Sequence, residues 1–326
     1  MDEPTAAAPA ERADDPPMDS ALARLVRASP SLRTSLAGVA RAAAADAVPL
    51  LILGESGTGR SALARAMHDS GPRRDRPLVT VDPGVIPSTL FEGELFGHRA
   101  GAFTGADRDR DGRVARAEGG TLILDHVESL PAATQPALLR LLAERTYRPL
   151  GGRERACDVR FVALGSDDLP ARVEDGVFRA DLFYRLEVLA FRLPPLRARA
   201  DDLPTLCTSL LTDLAQRLGR DAIPTVAPRA LAWMRTYAWP GNLRQLRNLL
   251  ERALIVTPPG SSLDPPPPGD AAAAHAADAP STLAALEMAH IRRVLAHTRG
   301  HQGKAAAILG ISRKALWEKR KRHGIP

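Results

Sequence analysis

Cysteine is nearly absent from this 326-residue chain, where Cys157 and Cys207 stand alone. Two thiols so far apart in sequence support neither a disulfide framework nor a zinc-type ligand cluster, so both read as reduced structural thiols. Long apolar runs are missing as well. The longest, residues 48–53, falls far short of the ~20 residues that cross a bilayer. At the N-terminus, acids and prolines stand where a secretory signal would carry a basic stretch followed by an apolar one. Membrane-spanning and disulfide-stapled classes are therefore excluded, and a cytoplasmic protein with no membrane partner is expected.

Periodicity fails in two places. Residues 1–20 are rich in Ala, Pro and acid and are expected to form a disordered leader with no sensing domain. Residues 257–280, TPPGSSLDPPPPGDAAAAHAADAP, read as a semi-extended linker. Between and after these lie a body, residues 21–256, and a short terminal module, residues 281–326. Charge divides the same way. From Ser281 onward ten Arg and Lys face only Glu287 and Glu318, a local +8 within a total of +6. A basic terminus on a nearly neutral body points to nucleic acid, although charge alone leaves a merely solvated helix face open.

Residues 48–53 precede Gly54-Glu55-Ser56-Gly57-Thr58-Gly59-Arg60-Ser61, and a helical stretch follows at residues 62–68. Strand, glycine-rich loop and helix are the context of the phosphate-binding G-x-x-x-x-G-K-[ST] signature. The glycines let backbone N–H groups close around phosphate, and the helix N-terminus adds positive potential. Ser61 could place its hydroxyl on Mg2+. Arg60 stands where Lys belongs, a planar fork in place of a slim point charge. Further apolar strands at residues 121–124 and 159–164, separated by helical segments, predict a mostly parallel sheet in an α/β domain. The pattern turns helical over residues 201–256, including 230–237 and 243–256, which reads as a small lid.

Residues 101–106, Gly101-Ala102-Phe103-Thr104-Gly105-Ala106, place one Phe among small residues, a poor core segment that reads as a presented hairpin tip. With Glu94-Leu95-Phe96-Gly97-His98 before it, this run resembles the loop by which bacterial sigma-54-dependent transcription activators touch the sigma factor. The resemblance extends from about Leu32 to the C-terminus, with the motifs in the family's order. It implies a AAA+ domain, with an ATP-binding and sigma-54-interacting part over residues 21–200 and a helical lid over 201–256. Asp125, closing the strand TLILD, would be the acid that orients Mg2+. Arg179 and Arg185 resemble arginine fingers serving a neighbouring subunit's ATP, and Arg244 resembles the lid residue that senses the γ-phosphate. Trp239 and Pro240 serve packing and turn formation. Residues 303–325 resemble a Fis-type helix-turn-helix, in which Ser312 caps a helix while Arg313, Lys314, Trp317 and Lys321 face DNA. The implied partners are sigma-54 RNA polymerase holoenzyme, double-stranded enhancer DNA and further subunits, in a hexamer or a mixed ring.

Departures from the family pattern cluster at the nucleotide: Arg60 for Lys, His126 for the water-activating Glu, Asp82 for its restraining Asn, and Gly165-Ser166 for a Thr-Asn sensor. Imidazole can serve as a base but differs from carboxylate in charge and reach. The pattern therefore implies ATP binding with impaired hydrolysis. The alternative to an ATP-driven activator is a weakly hydrolysing or non-hydrolysing DNA-binding regulator, or a subunit of a mixed ring. A AAA+ remodelling ATPase unrelated to transcription is disfavoured by the GAFTGA run and the basic terminus. In the terminal module Arg320 departs from a usually apolar position.

Overall fold

The computed structural model describes residues 20–268, 295, 298, 301–309 and 311–322. Its strands are β1 (Leu50–Gly54), β2 (Leu78–Val81), β3 (Gly97–His98), β4 (Arg110–Asp111), β5 (Thr121–Leu124), β6 (Thr146–Tyr147), β7 (Arg155–Ala156), β8 (Arg160–Gly165) and β9 (Leu189–Leu193). Five form one sheet in the order β2-β5-β8-β1-β9, and every neighbouring pair is parallel. The three central strands are buried at every residue, which is why they read as unbroken apolar runs. Successive residues enter opposite cores, as the two-residue period of a strand requires. Leu51, Leu53, Leu122 and Leu124 join one core with Phe91, Leu138 and Leu182. Leu50, Ile52, Ile123 and Leu164 join the other with Leu22, Leu63 and Met67.

The edge strands escaped sequence reading because water reaches them. β2 is largely half-buried and β9 alternates between exposed and buried positions, so neither makes a continuous apolar run. The five strands of this sheet all point the same way. Their carboxyl ends therefore bring Gly54, Asp125 and Gly165 to one rim of the sheet.

Helices Leu203–Arg217, Pro228–Thr236 and Asn242–Val256 enclose a third core around Trp239 and Leu250. Trp239 packs as expected, buried, with its indole N–H donating to the Met234 carbonyl at 2.8 Å. The expected linker, however, begins later than residue 257. Leu263 is fully buried in the lid core; it accepts from Ala227 N–H at 2.7 Å and donates to the Thr225 carbonyl at 2.8 Å. One leucine amid prolines retains both an apolar side chain and a free N–H, and these dock the segment. The chain divides into two compact units between Pro265 and Pro266.

In the second unit, helices Gln302–Ile308 and Arg313–Arg322 enclose Leu295, Ala305, Ala306 and Leu316. Ser312 caps the latter helix, accepting from Ala315 N–H at 3.1 Å. Of residues 281–297 in this module only Leu295 lies among the described residues, and Gly310 lies outside them. Among the described residues no helix is long and apolar enough to cross a membrane. Burial pushes the thiols of Cys157 and Cys207 up to about 12, leaving almost no reactive thiolate near neutrality. A disulfide reagent at mildly alkaline pH should label neither until the chain is unfolded; rapid labelling of the native protein would show that these cores open.

Candidate functional site

The phosphate loop leaves β1 through Gly54 and enters the helix Arg60–Asp69. Gly57 and Gly59 stand at φ 79° and 108°, and a Cβ on Gly57 would lie 2.5 Å from the Gly241 carbonyl oxygen. Glycine is therefore required there for the lid to approach the loop. Arg60 is only 6% exposed, and its Nη1 has no hydrogen-bond partner. A buried guanidinium nitrogen without an acceptor is a costly state that an anion would relieve, so the residues present fit a phosphate group. The Ser61 hydroxyl donates to Asp125 Oδ2 at 3.2 Å. Hydroxyl and carboxylate thus converge as the hard oxygen donors that suit Mg2+.

His126 follows Asp125 in the left-handed region, at φ 52°. Its backbone N–H donates to Asp125 Oδ1 at 3.0 Å, and its Nδ1 lies 3.0 Å from Asp82 Oδ2. A carboxylate only accepts, so Nδ1 carries a proton in this contact. The other Asp82 oxygen accepts from Gly84 N–H at 2.8 Å. Where a sensor side chain was expected, β8 ends in Gly165. Ser166 N–H donates to Glu128 Oε2 at 3.2 Å, while its hydroxyl bonds Asp168.

The lid meets the loop through residues that sequence reasoning left without a role. Asn242, fully buried, accepts from Leu196 N–H at 2.7 Å and donates to the Ser56 carbonyl at 3.0 Å and to Glu55 at 3.2 Å. Arg197 grips the Glu55 carboxylate at 2.5 and 2.9 Å, which holds Glu55 below the usual carboxylate range. Arg199 reaches the Thr58 carbonyl at 2.8 Å. Arg244 places Nη1 3.3 Å from Ser56 Oγ. Asn242 lay between Pro240 and Arg244, which had been singled out; the two arginines had no signal beyond their place between sheet and lid. Arg179 is paired with Asp181 at 2.7 Å, and Arg185 donates to the Leu142 carbonyl at 3.2 Å.

The GAFTGA run lies in a hairpin between the antiparallel β3 and β4. Gly101 donates to the Ala106 carbonyl at 2.8 Å, and a Cβ on either Gly101 or Gly105 would meet nothing within 4 Å. Phe103 is 42% exposed, with its ring edge-on to His98 at 4.9 Å. Asp109 clasps the base, accepting from Ala100 N–H at 2.8 Å and from Arg99. In the terminal unit Arg313, Lys314 and Trp317 are exposed. The Arg313 guanidinium rests over Gly303, where a Cβ would lie 2.4 Å from Nη2. The side chain of Lys321 lies outside the described residues.

Three families match in succession: the Sigma-54 interaction domain over residues 25–192, the AAA+ ATPase lid domain over 197–266, and the bacterial regulatory protein, Fis family, over 282–323. The alginate biosynthesis transcriptional regulatory protein AlgB of Pseudomonas aeruginosa is 42% identical over 303 residues, covering 91% of this chain and 67% of AlgB. The transcriptional regulatory protein ZraR of Klebsiella oxytoca is 40% identical, over 90% of this chain and 68% of ZraR. A crystal structure of NtrX from Brucella abortus in complex with ATP superposes with a TM-score of 0.64 at 31% identity, covering 90% of this chain and 67% of NtrX. The chain thus spans about two thirds of the length of these relatives.

Proposed function

Because this chain belongs to the family of sigma-54-dependent transcription activators, we propose that it couples ATP bound at the rim of its sheet to sigma-54 contact at the GAFTGA hairpin. Its terminal module holds the assembly on enhancer DNA. The observation that carries this reading is a lid-contacted phosphate loop in the same α/β unit that presents Phe103.

In this reading the N–H groups of residues 54–61 and Arg60 hold the phosphates, and Arg244 reports the terminal one to the lid. Ser61 and Asp125 would hold Mg2+, which when bound would neutralise charge on the phosphates. Arg179 and Arg185 serve the nucleotide of an adjacent subunit, in a hexamer or mixed ring. Arg179 must leave Asp181 to do so. His126 and Arg60 favour weak hydrolysis, so a regulator that binds ATP and turns it over slowly is the second reading. An ATPase assay with and without enhancer DNA separates the two. Brisk turnover supports a self-sufficient motor, and binding without turnover supports the weakly hydrolysing regulator or mixed-ring subunit.

DNA affinity should reside in the terminal module, with Ser312 capping the helix that carries Arg313, Lys314, Trp317 and Lys321. Truncation after Pro265 should abolish specific binding, and binding by the whole chain should weaken steeply with salt as phosphate counterions return. Arg313→Ala should cost ~1–3 kcal/mol of discrimination if it reads a base edge. A uniform loss on all sequences would make it a phosphate contact. Specific binding by the truncated chain would overturn the module's role.

A further inference from the structure

The turn Leu196–Asp202 grips the phosphate loop at two points. Arg197 holds the Glu55 carboxylate near the start of the loop. Arg199, only 2% exposed, reaches deeper: Nη2 donates to the Thr58 carbonyl at 2.8 Å and Nη1 to the Ser29 hydroxyl at 3.1 Å. Ser29 in turn bonds Asp202, itself 3% exposed. The other Asp202 oxygen accepts from Ser31 N–H at 3.0 Å and from Ser31 Oγ at 2.8 Å. A hydrogen-bonded path thus runs from the segment preceding the sheet into the backbone of the phosphate loop.

Thr58 is 1% exposed and lies between two glycines with positive φ. The glycines allow the loop many shapes, and a fixed Thr58 carbonyl selects among them. A guanidinium buried this deeply is costly unless its bonds are kept. A nitrogen that loses its acceptor therefore draws the group towards the nearest remaining charge, here the Asp202 carboxylate.

We propose that Arg199 is a positioning residue for the phosphate loop, and that the path Ser29–Asp202–Arg199–Thr58 ties nucleotide affinity to the segment around Ser29. The inference rests on the nucleotide-binding reading above. Removing the Ser29 hydroxyl leaves Nη1 without its acceptor beside the Asp202 carboxylate. The guanidinium then turns towards that charge and releases Thr58, so the loop N–H groups no longer converge on phosphate.

The test uses the full chain, with affinity for Mg-ATP by calorimetry, unfolding temperature, and amide exchange over residues 54–61. Ser29→Ala and Arg199→Lys should each weaken ATP binding by about 10-fold, the scale of one charge-assisted hydrogen bond, and should speed exchange around Thr58. Ser31→Ala, which removes a hydroxyl from Asp202 without touching Arg199, should stay within about 2-fold. The double variant Ser29→Ala with Arg199→Lys should be little weaker than Arg199→Lys alone, because both act through one bond. Equal behaviour of Ser29→Ala and Ser31→Ala would overturn the proposal. So would a lowered unfolding temperature with unchanged ATP affinity, since that is a packing role alone. Failure of the unsubstituted chain to bind ATP would overturn the nucleotide reading itself and is recognised separately.

Discussion

Phe103→Ala should abolish capture of sigma-54 while leaving nucleotide and DNA binding unchanged. The ring stands on a hairpin outside every buried cluster, in edge contact with His98, so truncating it opens no core cavity. A surface change of that kind costs the fold about 0.5 kcal/mol or less. Loss of an aromatic anchor from a docking contact costs ~2 kcal/mol or more, at least about 30-fold in affinity. Thr104→Ala should act in the same direction. The measurement is pull-down of sigma-54 in the presence of ATP with a transition-state analogue, with a thermal melt as control. Undiminished capture by both variants would remove Phe103 and Thr104 from the contact. The clasp beneath them has a defined pH sense. The Ala100 N–H, and then Arg99, hold Asp109 below the usual carboxylate range. Its bonds are therefore complete above the ordinary carboxylate pKa and are lost only as pH falls through the lowered value. Titration of Asp109 should accordingly contribute no change in capture across the neutral range.

Legibility in the sequence followed burial. The central strands announced themselves because both faces are covered, and the strand expected over residues 121–124 is β5 residue for residue. Half-wet β2 and β9 were silent. Glycine spacing located the phosphate loop because its backbone geometry admits little else at Gly57, where the lid carbonyl leaves no space for a Cβ. Glycines could not disclose what holds the loop from behind. Arg197, Arg199, Asp202 and Ser29 come from distant segments that only the fold brings together, and in sequence they look like an ordinary charged turn and a surface serine. Resemblance supplied the roles of Arg179 and Arg185, whose present partners lie within the subunit. Leu263 corrected the reading of a proline-rich stretch, because composition averages away a single buried side chain.

Slow ATP turnover is the expected behaviour of the natural chain, and Arg60→Lys combined with His126→Glu should raise it. Loss of general-base assistance alone is typically a factor of ~10²–10⁴, so the gain should be visible against that deficit. The structure gives a reason for the double variant to fall short of full recovery. His126 Nδ1 now lies 3.0 Å from Asp82 Oδ2, and replacing imidazole by carboxylate would set two like charges face to face. One of them would then tend to take up a proton, which removes the base just installed. Adding Asp82→Asn lifts that conflict and offers an amide donor, so the triple variant should exceed the double by more than the separate effects suggest. Single-turnover assays at saturating ATP would measure the chemical step apart from binding. Rapid turnover by the unmodified chain would reverse the assignment and make His126 the base, with Nδ1–H on Asp82 and Nε2 accepting the proton. Asp82→Asn alone should then slow the enzyme, because an amide can present a donor to Nδ1 and favour the wrong tautomer. A fast rate that survived both His126→Ala and Asp82→Asn would place the base on neither residue.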